Sequence, residues 1–303
     1  MTDIQGPFDG VTTFMRVPFT RDLAGAKAAI LGIPYDMGTH PTRIGARQGP
    51  AAIREQSYLV RPYQPPHADW NPLERLGVVD LGNVALTASR VEEAFARIEA
   101  AVSAVVEAGV VPVTLGGDGS VTLPQLRAVH RRYPGLAVLH LDAHTDTSPG
   151  EGYNTGTTFT RAAEEGVLDV AHTIHVGARG TLYQPGNWDH CRATGYELIP
   201  AAELYERGVP QVTAYLRRRL AGRPVYLCFD MDFFDASAAP GVCAPTWGGP
   251  LPREGLALVQ GLAGLDVVAC DVNTVSPPHD VGGMTAFLAA TVVLECLTLV
   301  ARK

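Results

Sequence analysis

136-LAVLHLDAHTDT-147 opens as an almost unbroken apolar run and ends in two aspartates and a histidine placed at alternate positions. A strand with one wet face alternates apolar and polar residues. A strand covered on both faces, as in a parallel sheet, reads as this one does. Runs of the same kind stand at 28-AAILGIP-34, 76-LGVVDLG-82, 110-VVPVTLGG-117, 172-HTIHVGAR-179, 223-RPVYLCFD-230 and 265-LDVVACDV-272.

Helical patterns separate these runs. In 90-RVEEAFARIEAAVSAVVEAG-109, Val91, Phe95, Ile98, Val102 and Val105 recur at helical spacing. Ser89 and Glu92 form an S-x-x-E capping signal, and Gly109 supplies the stop. Further helices are expected at 50–57, 120–132, 157–166, 210–221, 252–263 and 284–300. The β-α order persists without linker or repeat, so residues 1–303 read as a single α/β domain. Its mostly parallel central sheet carries helices on both faces. The polar, glycine-rich stretch 34-PYDMGTHPTRIGARQGPAAIR-54 follows the first strand, where open α/β folds place their sites.

The chain is 46% hydrophobic and 18% charged, enough apolar mass for a large core and too much for disorder. Net charge is −7 with the basic residues scattered, which gives nucleic acid no surface. No apolar run of about 18 residues is read along the chain, so no membrane span is expected. MTDIQGPFDG at the start lacks the basic and apolar regions of a leader. Five cysteines, odd in number and without a CxxC pair, point to a reduced, cytoplasmic protein.

On extended backbone, Asp142, His144 and Asp146 share one direction while Ala143 and Thr145 face away. A second acidic stretch, 226-YLCFDMDFFD-235, places Asp230 and Asp232 at another strand end, with Asp235 just beyond. Carboxylates gathered this way repel one another unless protonated or neutralised by a cation. Mixed carboxylate and imidazole ligands suit Mn²⁺, and also accommodate Zn²⁺, Ni²⁺ or Fe²⁺.

These stretches resemble the ureohydrolase family of arginases, agmatinases and guanidinobutyrases. The resemblance runs through 32-GIPYDMGT-39, 45-GARQGPAAIRE-55, 115-LGGDGS-120, 139-LHLDAHTD-146, 176-VGARG-180, 229-FDMDFFD-235 and 271-DVNTVSPPHDVGGMTAFLAA-290. His140 and the SPPHD ending are closer to the agmatinase branch. The resemblance implies a three-layer αβα sandwich assembled as a homo-oligomer, a trimer or hexamer, with two Mn²⁺ per chain. Asp142 and Asp230 would bridge the metals, with His144 and Asp232 completing the second. Asp146 would serve the first metal and relay a proton. Metal-bound hydroxide would attack the carbon of a small guanidino substrate, giving urea and an amine.

Three positions depart from the family pattern. GGDHS becomes GGDGS, so Gly119 stands where a histidine binds the first metal. In 153-YNTGTTF-159, Thr155, beside Asn154, stands where the family often has a histidine for proton transfer. Thr274 replaces a glutamate that contacts the substrate guanidinium. The retained acids favour a kept metal site, and the missing glutamate at Thr274 suggests a substrate other than agmatine or arginine. His40 and His279, both in loops, are candidates to compensate. Two other readings accompany these departures: a mononuclear amide or amidine hydrolase, and a non-catalytic homologue.

Overall fold

A computed structural model of the chain describes residues 10–38, 40–87 and 89–303. The stretch 1–9, read above for a leader, and Thr39, the last residue of the 32–39 motif, lie outside the described residues.

Among the described residues the strands are β1 (Ala28–Gly32), β2 (Val79–Asn83), β3 (Val111–Leu115), β4 (Ala137–Leu141), β5 (Ile174–Val176), β6 (Glu197–Ile199), β7 (Pro224–Asp230) and β8 (Asp266–Asn273). They form one sheet in the order β2-β1-β3-β8-β7-β4-β5-β6, and every pairing is parallel. β6 was not expected: Glu197–Ile199 is three residues long, too short to show a period.

The two faces of β4 show why its sequence is apolar throughout. Val138 belongs to one core, with Phe95, Ile98, Leu126 and Tyr226, under helices α3 (Val91–Glu107), α4 (Thr122–Arg132) and α5 (Thr158–Glu165). Leu139 and Leu141 belong to the other, with Leu216, Leu258 and Leu297. That side is covered by α1 (Gly49–Gln56), α8 (Val209–Leu220), α9 (Pro252–Gly261) and α10 (Met284–Ala301). The result is the expected three-layer αβα sandwich. The short helices α2 (Pro72–Leu76), α6 (Asn187–Thr194) and α7 (Ala201–Arg207) went unread because one or two turns carry too few apolar positions.

Two expectations are corrected. α3 starts at Val91 with Arg90 as its N-cap and no side-chain cap, so Ser89 does not cap it. Glu92 and Glu93 instead lie in the first turn, where they complement the helix dipole. Gly109 does end the helix, at φ +74°, a conformation that favours glycine. Second, α10 is an 18-residue helix of mean hydropathy 2.0, apolar and long enough to cross a membrane. Here 83% of it is buried within the protein, so it serves as a core helix.

Topology places the site. The chain leaves β3 and resumes at β4, and β8 and β7 later fill the gap between them. The loops leaving the C-terminal ends of these four central strands therefore surround one crevice.

Candidate metal centre

β4 ends at Leu141 and the backbone turns at once. His144 N donates to Asp142 Oδ1 at 2.5 Å, and Asp146 sits at φ +49°. The alternation expected for Asp142, His144 and Asp146 is thus corrected: a tight turn, not a continuing strand, aims them. A similar turn follows β7, where Asp232 N donates to Asp230 Oδ1 at 2.8 Å. Ala143 N donates to Asp232 Oδ1 at 3.0 Å, which ties the two acidic motifs together.

Among the described residues two groups of possible metal ligands result, each with its ligand atoms within 4.8 Å of one another: Asp142, His144 and Asp232, and His140, Asp142 and Asp146. Asp142 belongs to both. His144 Nδ1 lies 3.2 Å from Asp142 Oδ1 and 3.1 Å from Asp232 Oδ2. His140 Nε2 lies 2.9 Å from Asp142 Oδ2. Asp230 is buried alongside, but its oxygens enter neither group; Oδ1 accepts from Thr274 Oγ1 at 2.5 Å as well as from Asp232 N.

The electrostatics favour a cation. Burial, then the charge of Asp142, pushes the Asp146 carboxyl well above the usual range. Burial, then Asp232 and Asp142, does the same to Asp230. Burial also works to raise Asp142, but the His140 and His144 imidazoles together hold it below the usual range. Asp142 Oδ2 is buried and faces His140 Nε2 at 2.9 Å. Crowded, buried carboxylates beside two imidazoles fit a divalent cation in both donor set and charge.

Residues 26–299 match the Arginase family. The chain belongs to the arginase family. Guanidinopropionase of Pseudomonas aeruginosa is 40% identical over 301 residues, 98% of this chain and 93% of that enzyme. Guanidinobutyrase of the same organism is 36% identical over 296 residues, 96% and 92% of the two chains. The solved structure of proclavaminate amidinohydrolase from Streptomyces clavuligerus superposes with a TM-score of 0.92 at 36% identity, covering 98% of this chain and 99% of that one. These relatives are hydrolases of guanidino compounds by name, and this arginase-family chain is an enzyme of that kind.

The departures from the family pattern have structural partners. Gly117 is required by close approach, since a Cβ there would lie 1.7 Å from Tyr35 O. Asp118 then anchors the turn, accepting from Met37 N at 2.7 Å and from Ser120 Oγ at 2.5 Å, and burial pushes its carboxyl up to about 6. A Cβ on Gly119 would lie 3.2 Å from Asp146 Oδ2 and 2.7 Å from Thr155 Cγ2. Asn154 caps the short 3-10 turn Thr155–Thr157, and its N–H donates to Thr157 Oγ1 at 3.1 Å. Thr274 is buried at φ +65° and spends its hydroxyl on Asp230.

The structure does not bring the expected compensating histidines to the acids. His40 Nδ1 lies 3.1 Å from Thr42 Oγ1, and His279 Nε2 lies 3.2 Å from Thr42 O. Both are held in the loop around Thr42. The sequence did not show that His140 would pair with Asp142. It stands in β4 two residues before Asp142, and its Nε2 lies 2.9 Å from Asp142 Oδ2.

Proposed function

We propose that this enzyme hydrolyses a small guanidino compound other than agmatine or arginine to urea and an amine, using two divalent ions, Mn²⁺ by preference. The ligands in this reading are Asp142, His144, Asp146, Asp230 and Asp232. The observation that carries it is the membership of Asp142 in both ligand groups, because one carboxylate shared by two groups is what a metal pair needs. Bound ions supply an activated water at neutral pH.

The chain's own residues do the rest. The acidic floor attracts a guanidinium and orients its carbon toward the metals. Water adds to that carbon, the bond to the substrate's substituted nitrogen breaks, and that nitrogen leaves with a proton. In this reading Asp146 also relays a proton to the leaving amine. Thr274 directs its hydroxyl to Asp230 rather than offering a second carboxylate. That difference supports a substrate distinct from those of the family's glutamate-bearing members. All five cysteines are free thiols, in keeping with a cytoplasmic enzyme, and we extend the proposal to a homo-oligomer, a trimer or hexamer.

The test is urea release from a panel of guanidino acids, guanidino amines and arginine after Mn²⁺ loading. We expect turnover of one class above agmatine and arginine. No urea from any guanidine would reject the reading.

A further inference from the structure

We propose that Asp271 is a positioning residue of the metal centre: its buried carboxyl group fixes Asn273 and Thr122, and through Asn273 it holds the Thr274 hydroxyl on Asp230. The inference rests on the metal-pair reading above and adds a residue outside its ligand set.

Asp271 stands in the middle of the sheet. On β8 it pairs with Thr114 of β3 on one side and with Cys228 of β7 on the other, and it is fully buried. Its hydrogen-bond partners are neutral. Oδ2 accepts from Thr122 Oγ1 at 2.6 Å and from Asn273 Nδ2 at 3.1 Å, and Oδ1 accepts from Thr114 Oγ1 at 3.2 Å. Burying an acid among neutral groups costs free energy. Apolar replacements of buried ionic groups are often neutral or stabilising. Fold stability therefore gives no reason for an acid here, whereas the segments it grips do.

Those segments lead to the site by two routes. Thr122 opens α4, directly after the Gly119–Val121 turn. Asn273 ends β8, pairs with Asp230 in the β7–β8 ladder and precedes Thr274. Thr274 sits at φ +65°, and its N–H donates to Gly117 O at 2.7 Å. A strained β-branched residue persists only where its surroundings over-determine it. The Asn273 amide is gripped by Asp271 Oδ2 and by Thr122 Oγ1 at 3.3 Å, which fixes the residue before the strained one. Gly116 leaves room for this grip: a Cβ there would lie 2.6 Å from Asn273 Cβ and 3.1 Å from Asp271 Oδ1. Thr274 Oγ1 is thereby held 2.5 Å from Asp230 Oδ1.

The experiment is a double-mutant cycle read by equilibrium dialysis of Mn²⁺ on wild type, D271N, N273A, T274V, D271N/T274V and N273A/T274V. D271N keeps the shape but replaces one acceptor oxygen with a donor. N273A cuts the link and leaves Asp271 in place, so the test stands even where D271N does not fold. Each single variant should weaken Mn²⁺ binding by roughly 10–100-fold, the range of a supporting residue. Each double variant should fall no more than about 3-fold below T274V, because residues that act through one contact are not additive. Losses that multiply in the double variants would mark a merely structural role and overturn the inference. So would folded D271N or N273A protein with Mn²⁺ affinity within about 2-fold of wild type, which leaves the metal-pair reading intact. A wild type that binds no ion overturns both.

Discussion

The methyl of Thr155 occupies the space that any side chain at position 119 would need: a Cβ on Gly119 would lie 2.7 Å from Thr155 Cγ2. The two departures are therefore one coupled change. Restoring a histidine with G119H alone should overpack the turn, at a cost of about 1–3 kcal/mol. The double variant G119H/T155A should recover that stability and place an imidazole beside Asp146. Thermal unfolding with and without Mn²⁺ checks both. A G119H single variant with wild-type Tm would show that the two positions are independent.

Much of this arrangement was legible in the sequence, and the failures have physical causes. The long runs named their strands because burial on both faces leaves only apolar residues, as Val138 and Leu139 show by facing different cores. Glu197–Ile199 offered too few residues for that signal. Residue types in DAHTD announced a cation site, but its geometry did not follow from strand alternation. The backbone leaves β4 after Leu141, and Asp146 adopts φ +49°. His40 and His279 looked available because sequence shows loops without showing their tethers. Their shared attachment to Thr42 appears only in three dimensions.

Thr274 provides a sharper test of the acidic floor. It holds a β-branched side chain at φ +65°, an unfavourable backbone conformation, and directs its hydroxyl to Asp230 Oδ1. T274S keeps the hydroxyl and should retain Mn²⁺ affinity within about 3-fold. T274V keeps the shape and the strain but removes the donor, so Mn²⁺ affinity should fall by roughly 10–100-fold. Metal titration of the two variants decides this. Equal affinities would mean that the hydroxyl does not orient Asp230.

Metal removal should expose the repulsion among the acids. Asp146 and Asp230 bind protons more tightly when folded, so the stability of metal-free protein falls as pH rises from about 4 through their raised values. His144 is also raised: burial opposes this, but Asp232 and Asp142 outweigh it. Its contribution is complete below about 6.5 and is lost as pH rises through the folded value. Asp142 has the opposite sign, and its contribution is already complete above about 4. The metal-free protein should therefore melt lower at pH 8 than at pH 6. Mn²⁺ at about 100 times its Kd adds about 2.7 kcal/mol at pH 8. That corresponds to a Tm rise of roughly 5–10 °C. A stripped protein with one Tm at both pH values would contradict the electrostatic account.

Arg179 carries the last prediction, because it holds the walls of the site rather than its floor. Nη2 donates to the carbonyls of Asp232 (2.8 Å), Phe234 (3.1 Å) and Thr246 (2.9 Å). Nη1 reaches Gly177 O at 3.1 Å, and Nε reaches Trp247 O at 3.3 Å. One buried guanidinium thus joins the loops after β5 and β7 and the segment around Thr246, whose hydroxyl lies 3.5 Å from His144 Nε2. A lysine is a single point charge and cannot span this fork. R179A should lower stability by roughly 3–5 kcal/mol, as expected when buried acceptors lose a charged donor. R179K should recover only part of that. Both should weaken Mn²⁺ binding at the His144–Asp232 side more than at the Asp146 side. Denaturant midpoints together with metal titration measure the two effects. An R179K protein with wild-type midpoint and affinity would show that the planar fork is dispensable.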